Sequence, residues 1–524
     1  MRRINFCLII LLLLLTVCNS MTEAQTPRYG GTLVASNRGD VTSLNPVWKY
    51  DSPAYQISQN IYSTLVITDY GLTTLREPYG DLAKSWDISK DGLTYTFHLY
   101  DNVYWHDGVK FSSADVKFTY DTAIKEKYPI AEYLELVKEI VTPDENTVVF
   151  KLSRVDAPFM PMLAIASNWY GQIIAKHLYE GTNIPKNPNN KTPVGTGPFK
   201  FVEWKSGQFV TLKANEKYFR ERPYLDVFIT RLYSTKEVAQ ADLRSGIIDV
   251  LKYEYAPPPN DIKAWTALPG MKLWRKPSIY GYDIQFNHRR KPFTDIRVRE
   301  AVSLTIDRDE VSNIAWAGLA APNYYASCQG AQNFTNVNVR WPKPDLKRAK
   351  QLLDEAGYPA GADGIRMRLT SCGFAQFKDM VDVIIQQLRR VGIELKFDLV
   401  DTATWYRRSE SGDFDLNPFY LRYGPDPDTY RENFGSKGSR NHGKYLSATV
   451  DELLEAGRKT VELPKRKQIY NKLQEVLLKD FAYIPVTEYE YFTFTKDKVH
   501  GMPGDPNQRN PYGLGNYSSV WIEK

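Results

Sequence analysis

The stretch from Asp91 to Asp115, DGLTYTFHLYDNVYWHDGVKFSSAD, constrains the fold more than any other part of the chain. In TYTFHL, successive side chains point to opposite faces, so Tyr95, Phe97 and Leu99 share one face while Thr94, Thr96 and His98 share the other. The apolar face is expected to be buried and the polar face wet. Asp107-Gly108 is a turn dipeptide, and Ser112 or Ser113 is placed to cap a helix that has Asp115 in its first turn. The order strand, turn, strand, helix is a structural signature and carries no catalytic pattern.

The N-terminus reads as an export signal. Arg2 and Arg3 precede an apolar run from Phe6 to Val17 that is too short to span a bilayer, and Thr22-Glu23-Ala24 offers a small-residue cleavage site after position 24. Leu15-Thr16-Val17-Cys18 resembles a lipidation site only loosely, so soluble export is favoured over a lipid anchor at Cys18. Without Arg2, Arg3 and Glu23, the 67 basic and 61 acidic residues become 65 and 60, too even a balance to argue for nucleic acid. Two cysteines remain after the signal, Cys328 and Cys372, and both a disulfide and two separate buried thiols are compatible with the sequence. A mature chain of this length exceeds what one core usually serves. Its 35 tyrosines supply flat apolar faces with polar tips, suited to a pocket for an amphipathic ligand.

Further along, PVGTGPFKFVEWKSGQFVTLKANEKYF reads as a Gly-rich turn followed by a hairpin about Lys205-Ser206-Gly207. Pro198 excludes a phosphate loop at Gly195 and Gly197, because a free helix N-terminus would be needed there. YGYDIQFNHRRKPFTDIRVREAVSLTIDRDEV places Phe286-Asn287 at a strand end and an amphipathic helix from Asp295 to Ile306. DLKRAKQLLDEAGYP is a helix with Leu346, Ala349, Leu352, Leu353 and Ala356 at helical spacing, closed by Gly357. The following strand, long helix and strand (IRMRLTS, FKDMVDVIIQQLRRVG, IELKFDLV) predict a partly parallel sheet.

Several patterns that would have carried chemistry fail. GSRNHGK from Gly438 has Walker A spacing but ends in Tyr445 where Ser or Thr must reach magnesium. The six histidines are dispersed, and no metal site, cofactor or catalytic residue is expected. Asp413, Asp415, Asp426 and Asp428 lack the fixed separation of a glycosidase pair and the spacing of a calcium loop. Pro425 and Pro427 instead suggest a rigid turn whose aspartates cap a helix.

Four motifs, in the family's order along the chain, resemble extracellular solute-binding protein family 5: the Thr42–Pro46 loop, the Asp91–Asp115 block with Trp86 before it, the GTGPF hairpin and the FN…PF…RVR element. The resemblance implies an α/β, periplasmic-binding-protein-like fold (class II, cluster C type), with two ligand-binding lobes built on mixed sheets plus an extra inserted domain. It implies a signal peptide at 1–24, lobe I from 25–76, 190–279 and 486–524, an inserted domain II at 77–189 and lobe III at 280–485. It further implies a monomeric receptor that captures a small solute between hinged lobes and hands it to the permease of an ABC importer. Peptide is the first expectation for the solute, with an oligosaccharide or opine-like acid next. A secreted hydrolase is the rival from another class, and a metal or haem receptor is a third reading.

The resemblance also nominates ligand contacts. Tyr50, Asp51 and Ser52 match the family's ligand edge, and Tyr280 and Tyr282 lie near the lobe junction. In peptide-binding branches a W-x-x-D segment puts an aspartate on the peptide ammonium. Here Tyr420 stands where the Trp would be and Tyr423 where the aspartate would be, with Arg422 between them. Losing that anion removes a charge-assisted hydrogen bond of ~1.5–3 kcal/mol. Asp51 is a possible replacement, Arg422 is a candidate cation for an acidic ligand, and a pairing of Arg422 with Asp426 or Asp428 is the alternative. Trp405 is expected in the core.

Overall fold

The computed structural model describes residues 26–48, 52–68, 78–327, 334–424, 426–502 and 516–523. The signal segment, Tyr50, Asp51 and Cys328 therefore lie outside the described residues, and with them the cleavage site and the Cys328–Cys372 question. No helix among the described residues is long and apolar enough to cross a membrane.

An eight-stranded mixed sheet organises the molecule. Its spatial order is Leu416–Arg422, Met271–Phe286, Tyr483–Lys496, Val250–Leu251, Thr32–Arg38, Val227–Tyr233, Phe209–Ala214, Phe199–Lys205. Thr32–Arg38 runs parallel to Val227–Tyr233 over its whole length, and the last two strands form the expected hairpin. At the turn before that hairpin, a Cβ on Gly195 would lie 1.9 Å from the carbonyl oxygen of Ile61. Gly197 donates its N–H to the same oxygen at 2.8 Å. These glycines serve close backbone approach, not phosphate binding.

The Asp91–Asp115 reading holds for its first strand, its turn and its helix, while in place of the expected second strand there is only an isolated Tyr104↔Lys110 bridge. Thr94–Leu99 is a strand with Tyr95, Phe97 and Leu99 buried on one face, inside a four-stranded antiparallel sheet. Helix Ser113–Glu126 begins after Ser112, whose N–H donates to the Asp115 carboxylate at 2.9 Å. Met367–Gly373 and Ile393–Leu399 pair in parallel around helix Ala375–Arg389, as the strand–helix–strand pattern requires. Helix Ser52–Ile61 is followed by the short strand Val66–Ile67.

Buried apolar side chains gather in separate clusters. One draws on Leu33 to Ile61, Ile174 to Phe228 and the chain's end at Val520 and Ile522. A second runs from Leu65 to Ala175, a third from Tyr282 to Val486, and a smaller one packs Tyr233 to Trp265 against Phe492 and Phe494. Trp405, fully buried, belongs to the third as expected. Two long strands, Met271–Phe286 and Tyr483–Lys496, run from the first and fourth clusters into the third. One segment from the middle of the chain and one near its C-terminus thus tie the clusters together with continuous backbone.

Candidate functional site

The pairing of the two long strands is interrupted where they pass between clusters. Register runs unbroken from Met271↔Lys496 to Pro277↔Glu490 and resumes only at Gly281↔Glu488, so Ser278, Ile279 and Tyr280 stand against Tyr489 alone. A bulge of this kind releases side chains from the regular alternation and re-aims them. Proline cannot donate to a ladder, so Pro277 suits a break in it.

At the bulge lies a cavity of 270 Å³. Six of its eight lining residues are tyrosines: Tyr280, Tyr489 and Tyr491 from the long strands, Tyr420 from the neighbouring strand, Tyr253 from the turn after Val250–Leu251, and Tyr406 from helix Thr402–Ser411. Gln376 and Arg440 complete it. The rings touch in series. Tyr253 meets Tyr491 at 4.6 Å between centroids, Tyr491 meets Tyr489 at 4.9 Å, Tyr489 meets Tyr282 at 5.3 Å and Tyr282 meets Tyr420 at 6.4 Å. Burial pushes the Tyr489 and Tyr491 hydroxyls well above the ordinary phenol value, so both stay protonated and able to donate. Arg440 donates from Nη2 to the Tyr420 carbonyl at 2.7 Å and lies 4.8 Å over the Phe419 ring. Among the described residues no carboxylate lines the cavity. Such a site offers stacking faces, phenol donors and one cation.

The family described as bacterial extracellular solute-binding proteins, family 5 Middle, matches residues 77–442. The chain belongs to this family. The oligopeptide-binding protein AppA of Bacillus subtilis (strain 168) is 27% identical to this family member over 511 residues, covering 91% of this chain and 92% of the relative. The ABC transporter substrate-binding protein CtaP of Listeria monocytogenes superposes with a TM-score of 0.83 at 25% identity, covering 94% of this chain and 100% of its own. The periplasmic binding protein DppA of Helicobacter pylori, solved with the peptide STSA, gives a TM-score of 0.74 at 28% identity, covering 95% and 99%. The α/β fold with mixed sheets and several domains is thus that of family 5 receptors.

Within this family 5 chain the nominated residues separate. Tyr280 and Tyr420 line the cavity, with their rings 6.3 Å apart. Tyr282 is buried just behind it, packed on Tyr420 and Tyr489, and its hydroxyl accepts from Gln376 Nε2 at 2.9 Å. Ser52 opens helix Ser52–Ile61. Tyr423, in contrast, is placed away from the cavity: it is 2% exposed and donates its hydroxyl to Asp283 Oδ1 at 2.5 Å. A Cβ on Gly281 would come within 2.8 Å of the Tyr423 ring, so this glycine makes room for the tyrosine. Arg422 is ion-paired with Glu432, not with Asp426 or Asp428 as the alternative had it, and does not line the cavity. Asp426 caps the turn Pro427–Thr429 through Asp428 N–H, as expected, and also holds Arg466 by two 2.6 Å bonds.

Sequence reasoning passed over Arg440, Gln376, Tyr253, Tyr406, Tyr489 and Tyr491. The run TEYEYF carried a usable signal, since Tyr489 and Tyr491 share one face of a strand. Arg440 lay in the segment dismissed as a false nucleotide loop, and only tertiary packing brings it to the tyrosines.

Proposed function

We propose that this family 5 protein is the periplasmic receptor of an ABC importer, a monomer that captures a peptide-like solute and delivers it to a membrane permease without chemical change. The observation that carries this reading is the tyrosine-lined cavity at the bulge, where the two strands that connect the clusters change register. Lobe I comprises 25–76, 190–279 and 486–524, domain II comprises 77–189, and lobe III comprises 280–485. In this division two continuous strands form the hinge, and closure brings Tyr253 of lobe I against the lobe III wall. The names of the relatives, one an oligopeptide-binding protein and another solved with a bound peptide, support a peptide. Against a hydrolase stands the family, which is described as one of solute-binding proteins. An opine-like acid is the second reading, favoured by the single lining cation, Arg440.

Thermal unfolding of the mature protein with di- to penta-peptides, cello- and xylo-oligosaccharides, opines and nickel tests these readings. A ligand at a hundredfold its dissociation constant stabilises by ~2.7 kcal/mol. A shift with peptides and no product is the expected result. A shift with sugars or opines alone overturns the peptide assignment, and product formation overturns the receptor.

A further inference from the structure

We propose that the chain carries a second binding site, remote from the tyrosine-lined cavity: a pocket in which Lys200, Lys213 and Lys217 hold a phosphate group, either free or borne by a phospholipid headgroup.

The pocket measures 790 Å³ and lies where the loop Tyr104 to Gly108 faces the hairpin of Phe199–Lys205 and Phe209–Ala214 and the turn after it. In the eight-stranded order these two strands stand five and four places from Tyr483–Lys496, whose tyrosines line the other cavity. At about 4.8 Å per place, the two sites are separated by roughly 19–24 Å.

Lys200 is the direct antiparallel partner of Lys213, so both side chains emerge on one face of the hairpin, opposite each other. Like charges in that relation destabilise a sheet. Among the described residues no carboxylate relieves them. Lys200 donates to the His106 carbonyl at 3.0 Å, a neutral partner, and the ammonium groups of Lys213 and Lys217 have none. The carboxylates of the lining are turned to other cations. Glu216 and Asp226 accept from Arg222 at 2.6 to 2.9 Å, and Asp107 meets His177 Nε2 at 2.9 Å.

The walls are fixed before any ligand arrives. The His106 N–H donates to the Gly195 carbonyl at 2.8 Å, its Nδ1 accepts from the Gly195 N–H at 3.3 Å, and its Nε2 donates to the Gly197 carbonyl at 3.0 Å. Asn215 pins the turn that carries Lys217, accepting from the Lys217 N–H at 3.2 Å and donating to Gly197 at 3.1 Å.

Three ammonium groups are point charges on flexible stems, without the planar fork by which arginine matches a carboxylate, and they suit a multiply charged tetrahedral oxyanion. The volume falls inside the roughly 300–1,000 Å³ of small-molecule sites, which leaves room for a phosphate ester beyond a bare ion. Tyr104 and Val109, either side of the Asp107-Gly108 turn, are 48% and 44% exposed. An amphipathic ring beside clustered cations suits the surface of an anionic membrane.

The test titrates inorganic phosphate into the mature protein at constant ionic strength, with chloride as the matched control, and reads binding heat and the unfolding midpoint. Wild type is expected to bind phosphate and to gain stability beyond the chloride control. Lys213→Gln should weaken phosphate roughly 10- to 100-fold, while its midpoint in phosphate-free buffer equals or exceeds that of wild type because the cross-strand repulsion is gone. Lys213→Arg keeps the charge and should keep the binding. Sedimentation with phosphatidylcholine vesicles, with and without phosphatidylglycerol, separates the two sources. Capture that depends on phosphatidylglycerol and is lost in the Lys213→Gln, Lys217→Gln double variant assigns a lipid headgroup, and phosphate binding without capture assigns free phosphate. The site falls if phosphate acts no differently from chloride and no phosphatidylglycerol-dependent capture occurs, or if the double variant binds phosphate or vesicles as wild type does. Affinity for peptides should stay at the wild-type value in every variant, so the result stands apart from the peptide reading.

Discussion

Replacing Tyr423 by Phe removes one oxygen and tests whether this residue, standing where peptide-binding branches carry an anchoring aspartate, serves the fold or the ligand. Its hydroxyl donates to Asp283 Oδ1 at 2.5 Å, and Asp283 is fully buried. The other Asp283 oxygen accepts only the Leu421 N–H, at a long 3.3 Å. Burial holds the Asp283 carboxyl well above the usual range, and the Tyr423 bond is the largest influence opposing it. Without the hydroxyl a buried carboxyl keeps a single weak donor. Leaving a buried polar group without its partner costs about 1–3 kcal/mol, and the void left by one oxygen adds little. A loss of ~2 kcal/mol lowers the midpoint of a unit of about 200 residues by roughly 4–8 °C. Calorimetry and urea unfolding of Y423F should show that drop, while titration with the di- to penta-peptides should give a Kd within twofold of wild type. An unchanged midpoint with a tenfold weaker Kd would refute the reasoning and return Tyr423 to the ligand.

Three further outcomes follow from the same packing. Gly281→Ala puts a Cβ 2.8 Å from a Tyr423 ring that its hydroxyl pins in place, so overpacking should cost about 1–3 kcal/mol in urea unfolding. Arg466→Met strands Asp426 beside Asp428 with no counter-charge at 2.6 Å and should cost about 3–5 kcal/mol by the same measurement. Burial, opposed by Arg458 and Arg431, pushes the Asp428 carboxyl up to about 6. The folded state therefore holds this proton more tightly than the unfolded chain, and stability falls as pH rises from about 4 to 6, by on the order of 3 kcal/mol. Asp428→Asn should flatten that fall between denaturation series at pH 4 and pH 7, and an unchanged slope would remove Asp428 as its source.

Local order was largely legible in the sequence. Period-two alternation in TYTFHL, the Ser112–Asp115 cap, Gly357 after helix Leu346–Glu355 and the strand–helix–strand run around Ala375–Arg389 each depend on neighbours within a few residues, so pattern alone fixed them. The motif order was enough to identify the family. The site was only partly legible, because its walls are drawn from segments as distant as Tyr253, Tyr420 and Tyr491. Position along a strand does not say which side chain a bulge turns toward a cavity. Tyr423 and Arg422 were nominated from their place beside the family's anchor, yet one is buried on Asp283 and the other is paired with Glu432. Arg440 carried no local signal at all. The sequence by itself determined the elements and the family, since those rest on short-range periodicity, capping and turn chemistry. Only the tertiary structure decided which charges find partners inside the protein and which are left for a ligand, because pairing and burial are properties of groups brought together from far apart in the chain.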